Sequence, residues 1–339
     1  LKVIISFVTF NNLKYTKLCL NSIKCSYPYE ILVIDNGSID GTQEWLKTQN
    51  VTLIENGQNM GVPYCCNIMY DYAWKNNKDN YLVAFANDMI FLPNTIDELV
   101  KGAEETPYSV ISGDSRWSPY YLAVNPDLRK YFKGGNRISL NASTMATWSP
   151  GDYYSLIEST GQEFVDILIK DLSKDLPKHE VLSMGDNCWF VPGHRIYKYK
   201  YFETVGYWDV NFYPIYAVDF DHAVRAKIMN QKCYMLPSSV VFEFWSRTLY
   251  EGVVPVIDRR RNDYLIDKWG GDNYVNHKFN VPFNNLGLPK KYEGYDTSSV
   301  SILSRVGEKE RIKQLGGSDI NLGIRPVISG KNEENYSFE

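Results

Sequence analysis

"ILVIDNGSIDGTQEWLKTQ" (residues 31–49) runs from an apolar strand into a helix, with an acid at the junction. Ile31–Ile34 is a continuous apolar run, the kind buried on both faces of a parallel sheet. Asp35-Asn36-Gly37 ends it, and Ser38 or Asp40 offers an N-cap for a helix over 38–49. A carboxylate and an amide at the tip of a buried strand have two readings. They turn the chain through local hydrogen bonds. Or they present those groups to a ligand, with Gly37 allowing a tight turn and the helix N-terminus adding its dipole.

Outward from this stretch the same rhythm repeats. Residues 2–10 (KVIISFVTF) read as a buried strand, 13–25 as a helix, 51–56 as a strand and 61–76 as an amphipathic helix. Residues 81–88 (YLVAFAND) form another strand that ends in Asn87-Asp88, followed by a helix over 95–105 and a strand over 108–114. Alternation at this spacing predicts an α/β fold, a mostly parallel, Rossmann-like sheet flanked by helices. Ligands bind beyond the carboxyl ends of such strands, and Asp35-Asn36 and Asn87-Asp88 both stand there. From about 115 to 186 the chain is polar, aromatic and irregular, with one amphipathic helix over 154–176. It reads as an insertion packed over one sheet edge. Residues 187–209 and 219–244 restore strand–helix–strand order. The expected division is a domain over 1–250 and a C-terminal extension over 251–339, wrapped on the core.

The chain has 339 residues, 44% hydrophobic and 14% aromatic, with 26 Tyr and a formal net charge of -4. That balance demands no polyanionic partner. Arg259-Arg260-Arg261 is flanked by Asp258 and Asp263, as in a solvated turn. The six cysteines have no CxxC pair and the four histidines no zinc-like spacing. Reduced thiols point to the cytoplasm, with peripheral membrane contact left open. No run reaches ~18 apolar residues, so no transmembrane segment is expected. The apolar start reads as a strand, not a signal peptide.

Two more stretches carry chemistry. Asp88 is a lone acid at a strand end, able to hold a divalent cation or merely to turn the chain. In "YAVDFDHAVRAKIMNQ" (216–231), Asp219 and Asp221 precede a helix. Asp221 and Arg225 have the spacing of an i,i+4 ion pair. Asp219 is suited to take a proton, as a general base at a helix start.

With these stretches in order, the chain resembles the family 2 glycosyltransferases of the GT-A type, bacterial or bacteriophage-like. "IISFVTFNN", "ILVIDNGSIDGT", "NMGVPYCCN" (59–67), "AFANDMIFLP" and "FETVGYWDVNFYPIYAVDFDHAVRAK" carry the likeness, over residues 1 to about 100 and about 187 to 245. The resemblance implies an inverting hexosyl- or pentosyltransferase that uses a nucleoside diphosphate sugar and Mn²⁺ or Mg²⁺. By matching positions, Thr9, Asp35, Asn36, Asn59, Gly61 and Asn87 would line the nucleotide site. Asp88 would bind the metal and Asp219 would be the base. Trp208 and Asp221 would lie on the acceptor side.

Three departures stand out. The family's DxD is Ala86-Asn87-Asp88. The glutamate usual before the catalytic aspartate is Val218. Glu243 stands where many relatives carry a histidine near the metal, as a replacement oxygen ligand or a plain strand residue. Arg247 or Lys268 is a candidate to neutralise diphosphate directly. Acceptors left open are a glycan, a lipid-linked saccharide, a protein or another hydroxyl. Modified DNA is disfavoured by the acidic balance. Trp117, Tyr120, Tyr121, Trp148, Tyr153 and Tyr154 stack on sugars or form a small core. The alternatives to transfer are a non-catalytic nucleotide-sugar-binding module and a nucleotidyltransferase.

Overall fold

The computed structural model describes residues 1–117, 126–133, 155–157, 159–184, 193–212, 218–228, 231–232 and 234–244. The element order is β1 (Val3–Thr9), α1 (Leu13–Ser22), β2 (Tyr29–Asp35), α2 (Thr42–Leu46), β3 (Thr52–Glu55), α3 (Val62–Trp74), β4 (Tyr81–Ala86), β5 (Met89–Phe91), α4 (Thr95–Glu105) and β6 (Val110–Trp117). There follow β7 (Phe132–Lys133), β8 (Ser155–Leu156), α5 (Gln162–Leu172), β9 (Leu182–Ser183), β10 (Arg195–Lys198), α6 (Tyr199–Val205), α7 (Val218–Ile228) and β11 (Tyr234–Glu243).

Nine of the described strands join one mixed sheet, in the order β3-β2-β1-β4-β10-β6-β11-β5, with β9 beside β11. Alternation along β1 explains the layers. Ile4 faces α3 and α6, with Leu32, Ile34 and Leu82 of neighbouring strands. Val3, Ile5 and Phe7 face α1 and α4, with Val33 and Val83. Successive side chains point to opposite faces, so a strand covered on both sides must be apolar throughout. The α3 residues Cys65, Met69 and Ala73 recur every four positions and are all buried, as a packed helix face requires.

The sheet is parallel across β3-β2-β1-β4 and between β6 and β11. It is antiparallel at β10 and β5, which the alternation of elements did not reveal. β1 lies between β2 and β4, and strand order reverses beside it, so the switch point lies outside Thr9.

Two expectations shift. The helix expected over 38–49 spans only Thr42–Leu46, with Gly41 at φ 89 before it. Ser38 serves α1, its Oγ accepting the Asn11 N–H at 2.7 Å, while Asp40 serves both helices: its Oδ2 accepts the Leu13 N–H at 3.0 Å and its Oδ1 the Thr42 N–H at 3.2 Å. The helix expected over 154–176 begins at Gln162, after Gly161. Its Phe164, Val165 and Leu168 pack with Tyr15, Ile90, Phe242 and Phe244, over the β5–β11 edge. Among the described residues, no helix is long and apolar enough to cross a membrane. Tyr120, Tyr121, Trp148, Tyr153, Tyr154, Arg259–Arg261 and the 251–339 extension lie outside the described residues, as does the Trp117 side chain.

Candidate functional site

Parallel register brings the strand ends into line. Thr9 is opposite Asp35, and Asp35 is opposite Glu55. The Asp35 side chain is fully buried. Its Oδ1 accepts three hydrogen bonds, from the Gly37 N–H (3.0 Å), the Ser38 N–H (2.9 Å) and Gln43 Nε2 (2.6 Å). Its Oδ2 is equally buried and has no partner among the described residues. A buried carboxylate oxygen left bare is costly, so an incoming N–H or O–H donor would be favoured there. The turn reading of Asp35 holds for Oδ1, which leaves Oδ2 available for the ligand reading.

The neighbouring amides brace the loop around this carboxylate. Asn36 Oδ1 accepts the Met60 N–H at 2.8 Å and Asn56 Nδ2 at 3.2 Å. Asn36 Nδ2 donates to Asn59 Oδ1 at 2.8 Å, which also accepts the Gly61 N–H at 2.9 Å. Residues 56–61 are thereby tied to the end of β2 and fed into α3. Gly37 makes this possible: it lies at φ +94, and a Cβ would stand 2.5 Å from Gln58 Cα. Asn87 is likewise used for scaffolding. Its Nδ2 donates to Thr16 Oγ1 (3.0 Å) and Thr9 Oγ1 (3.3 Å), joining β4 to β1 and α1.

The chain leaves β4 through Asn87-Asp88 and β11 returns to the same point. Glu243 is opposite Met89, and the Phe244 N–H donates to the Asp88 carbonyl at 2.9 Å. Two largely buried acids, Asp88 (5% exposed) and Glu243 (9%), are thus neighbours across the β5–β11 pairing. Each carboxylate offers hard oxygens of the kind a divalent cation takes. Among the described residues no cluster of three His, Cys, Asp or Glu has metal-binding geometry.

Asp219 stands in the first turn of α7 and is exposed. Solvent reaches it, yet packed protein crowds its other sides. That crowding raises its carboxyl above the ordinary 3.8, and the Arg195 charge pulls it back. Arg195 itself is buried at the start of β10 and donates from Nη1 to Tyr197 Oη at 3.4 Å. Cys66 on α3 feels the same aspartate. Burial first, then the Asp219 charge, push its thiol up to about 12, so it stays neutral.

Trp208 and Asp221 are both buried. The Trp208 ring stacks on His222 with centroids 4.3 Å apart. Its backbone is held by Asn67, whose Nδ2 donates to the Trp208 carbonyl and whose Oδ1 accepts the Trp208 N–H. The Arg225 side chain, Arg247 and Lys268 lie outside the described residues. Sequence reasoning did not single out Gln43, Asn56, Thr16 or Arg195. Each acts through a partner distant in the chain or on another element, and no motif spacing marks it.

Residues 4–151 match the family model described as Glycosyl transferase family 2. No curated protein matches the chain. Among solved structures, it is similar to the mannosyltransferase PcManGT from Pyrobaculum calidifontis in complex with GDP-Man and Mn²⁺, at 15% identity and TM-score 0.47, over 90% of this chain and 70% of that one. It is similar to S. aureus TarS 1–349 in complex with UDP-GlcNAc, at 12% identity and TM-score 0.48, over 93% and 80%. It is also similar to GalNAc-T7 with UDP, GalNAc and Mn²⁺, at 17% identity and TM-score 0.46, over 89% and 58%.

Proposed function

We propose that this chain is an inverting glycosyltransferase, moving a hexosyl or pentosyl unit from a nucleoside diphosphate sugar to an acceptor hydroxyl. One observation carries the reading. Within the stretch matched by the family model, at the switch point of the sheet, Asp35 has one oxygen fixed by three donors and the other buried and bare.

In this reading Asp35 Oδ2 accepts an N–H of the nucleobase. Thr9, Asn36, Asn59, Gly61 and Asn87 shape the pocket, largely by holding its loops. Asp88 and Glu243 would hold Mn²⁺ or Mg²⁺, whose charge would offset that developing on the departing diphosphate. Asp219 takes the proton of the acceptor hydroxyl. The acceptor oxygen then bonds to C1 from the face opposite the diphosphate, and the C1–O bond to phosphate breaks. Trp208 and Asp221 support that turn from the core, and Arg247 and Lys268 are proposed as further cations for the diphosphate. The acceptor is a glycan, a lipid-linked saccharide or another hydroxyl compound. Free thiols at Cys19, Cys25, Cys65 and Cys66 support a cytoplasmic location.

The test is a thermal-shift panel of nucleoside diphosphate sugars with and without Mn²⁺. A donor at 100 times its Kd adds ~2.7 kcal/mol of stability. No stabilisation by any donor, with or without metal, would overturn the reading.

A further inference from the structure

A cavity of about 520 Å³ opens beside the C-terminal half of α3, bordered by α6. Its lining runs along α3 from Ile68 to Lys75, about 10 to 20 Å beyond Gly61 at 1.5 Å per residue, and reaches Ile54 of β3. Asp35, Asp88 and Asp219 are not among the residues that line it.

Its walls are aromatic and braced. Phe202 stacks on Trp74 at 5.4 Å and meets the edge of Tyr207 at 4.4 Å. Tyr199 packs against Trp74 at 5.8 Å. The Tyr72 hydroxyl is anchored to the Glu30 carboxylate. Tyr72, Tyr199 and Phe202 nevertheless stay partly exposed. The polar groups sit among these rings. Asp71 accepts the Tyr207 hydroxyl at 2.7 Å, and Lys75 and Lys78 also line the cavity, with Lys78 Nζ 4.4 Å from the Tyr199 ring centre. Partial burial pushes the Asp71 carboxyl up to about 6.

A cavity of this size, apolar with a few polar groups, has the make-up of a small-molecule site. The chemistry narrows the occupant. An acyl chain would desolvate Asp71 and two lysines without giving them partners. A phosphate would meet the Asp71 carboxylate. A neutral ring with apolar C–H faces and hydroxyl edges satisfies both parts: its faces lie on Tyr72, Tyr199 or Phe202, and its hydroxyls bond Asp71, Lys75 and Lys78. We propose that this groove is a second carbohydrate site, holding a sugar unit of the acceptor chain away from the point of transfer. Its link to the acceptor rests on the glycosyl-transfer reading.

The experiment titrates the full chain with neutral tetrasaccharides of N-acetylglucosamine, glucose, mannose and galactose, followed by tryptophan fluorescence and calorimetry. At least one should bind saturably. Tyr199→Ala, and separately the rim variant Lys78→Ala, should weaken it roughly tenfold, while Asp35→Ala leaves it unchanged. The proposal is overturned if no tetrasaccharide saturates, or if Asp35→Ala abolishes binding and Tyr199→Ala does not. Displacement of the saccharide by inorganic phosphate would also overturn it, marking an anion site. Nucleotide-sugar binding, measured on the same wild-type protein, reports separately on the donor reading.

Discussion

The Asn67 side chain makes two hydrogen bonds to the backbone of Trp208, 141 residues away, at 2.9 Å and 2.8 Å. α3 begins at the Asp35 loop, and the Trp208 segment leads into α7 and Asp219. One amide thus links the two halves of the proposed site. Asn67→Ala removes both bonds and strands two buried backbone groups. It should cost about 2–4 kcal/mol by urea denaturation. Transfer activity should fall even where the variant is fully folded.

Asp35 serves the turn through Oδ1, and Oδ2 is the oxygen proposed to meet the nucleobase. Asp35→Ala should weaken nucleotide binding by more than tenfold in calorimetry. Gln43→Ala removes only one of the three donors to Oδ1, so its effect on affinity should be smaller. Equal losses in the two variants would place the role of Asp35 in the fold alone.

The base role proposed for Asp219 requires it ionised, and crowding raises its carboxyl above 3.8. The acid limb of the pH–rate profile should therefore lie above the ordinary aspartate range, with activity lost as pH falls through it. Arg195→Met removes the opposing charge, so the limb should move to higher pH. Asp219→Asn should lower the transfer rate by roughly 10²–10⁴ with donor affinity retained. A variant that keeps the full rate would remove Asp219 from the mechanism.

Asp88 and Glu243 stand at adjacent backbone positions because β5 and β11 pair antiparallel. If both face one cation, Asp88→Asn and Glu243→Gln should each raise the Mn²⁺ concentration needed for donor binding. The double variant should lose metal dependence. Calorimetry of the nucleotide with and without Mn²⁺ reads this directly, and unchanged metal dependence in Glu243→Gln would leave that residue as a plain strand residue.

Asp71 has a folded-state value of about 6 against an ordinary 3.8. The folded protein holds this proton more tightly than the unfolded chain, so stability should decline as pH rises from about 4 to 6. Asp71→Asn should flatten that decline and raise stability at pH 7 by about 1 kcal/mol. This is well below the ~3 kcal/mol of a two-unit shift, since solvent reaches the carboxylate. Denaturation across pH checks both effects.

The sequence by itself determined the α/β alternation through Glu105 and the acids at the strand tips. Strands buried on both faces must be apolar, and polar residues end them abruptly, so position along the chain fixes what stands at the rim. It also determined the need for glycine at residue 37, although the reason became visible only in the fold: the backbone of Gln58 occupies the space of a Cβ. Only the tertiary structure decided where hydrogen-bonding capacity goes. Ser38 looked like a cap of the following helix and instead serves α1, while Asp40 bonds the first residues of both helices. Asn36 and Asn87 brace loops, while Asp35 keeps one oxygen bare. The antiparallel insertion of β10, the adjacency of Asp88 and Glu243 across β5 and β11 and the influence of the Arg195 charge on Asp219 were equally illegible. Local periodicity records which face of an element is buried. It does not record which distant element covers that face, and the partner of a polar side chain depends on that.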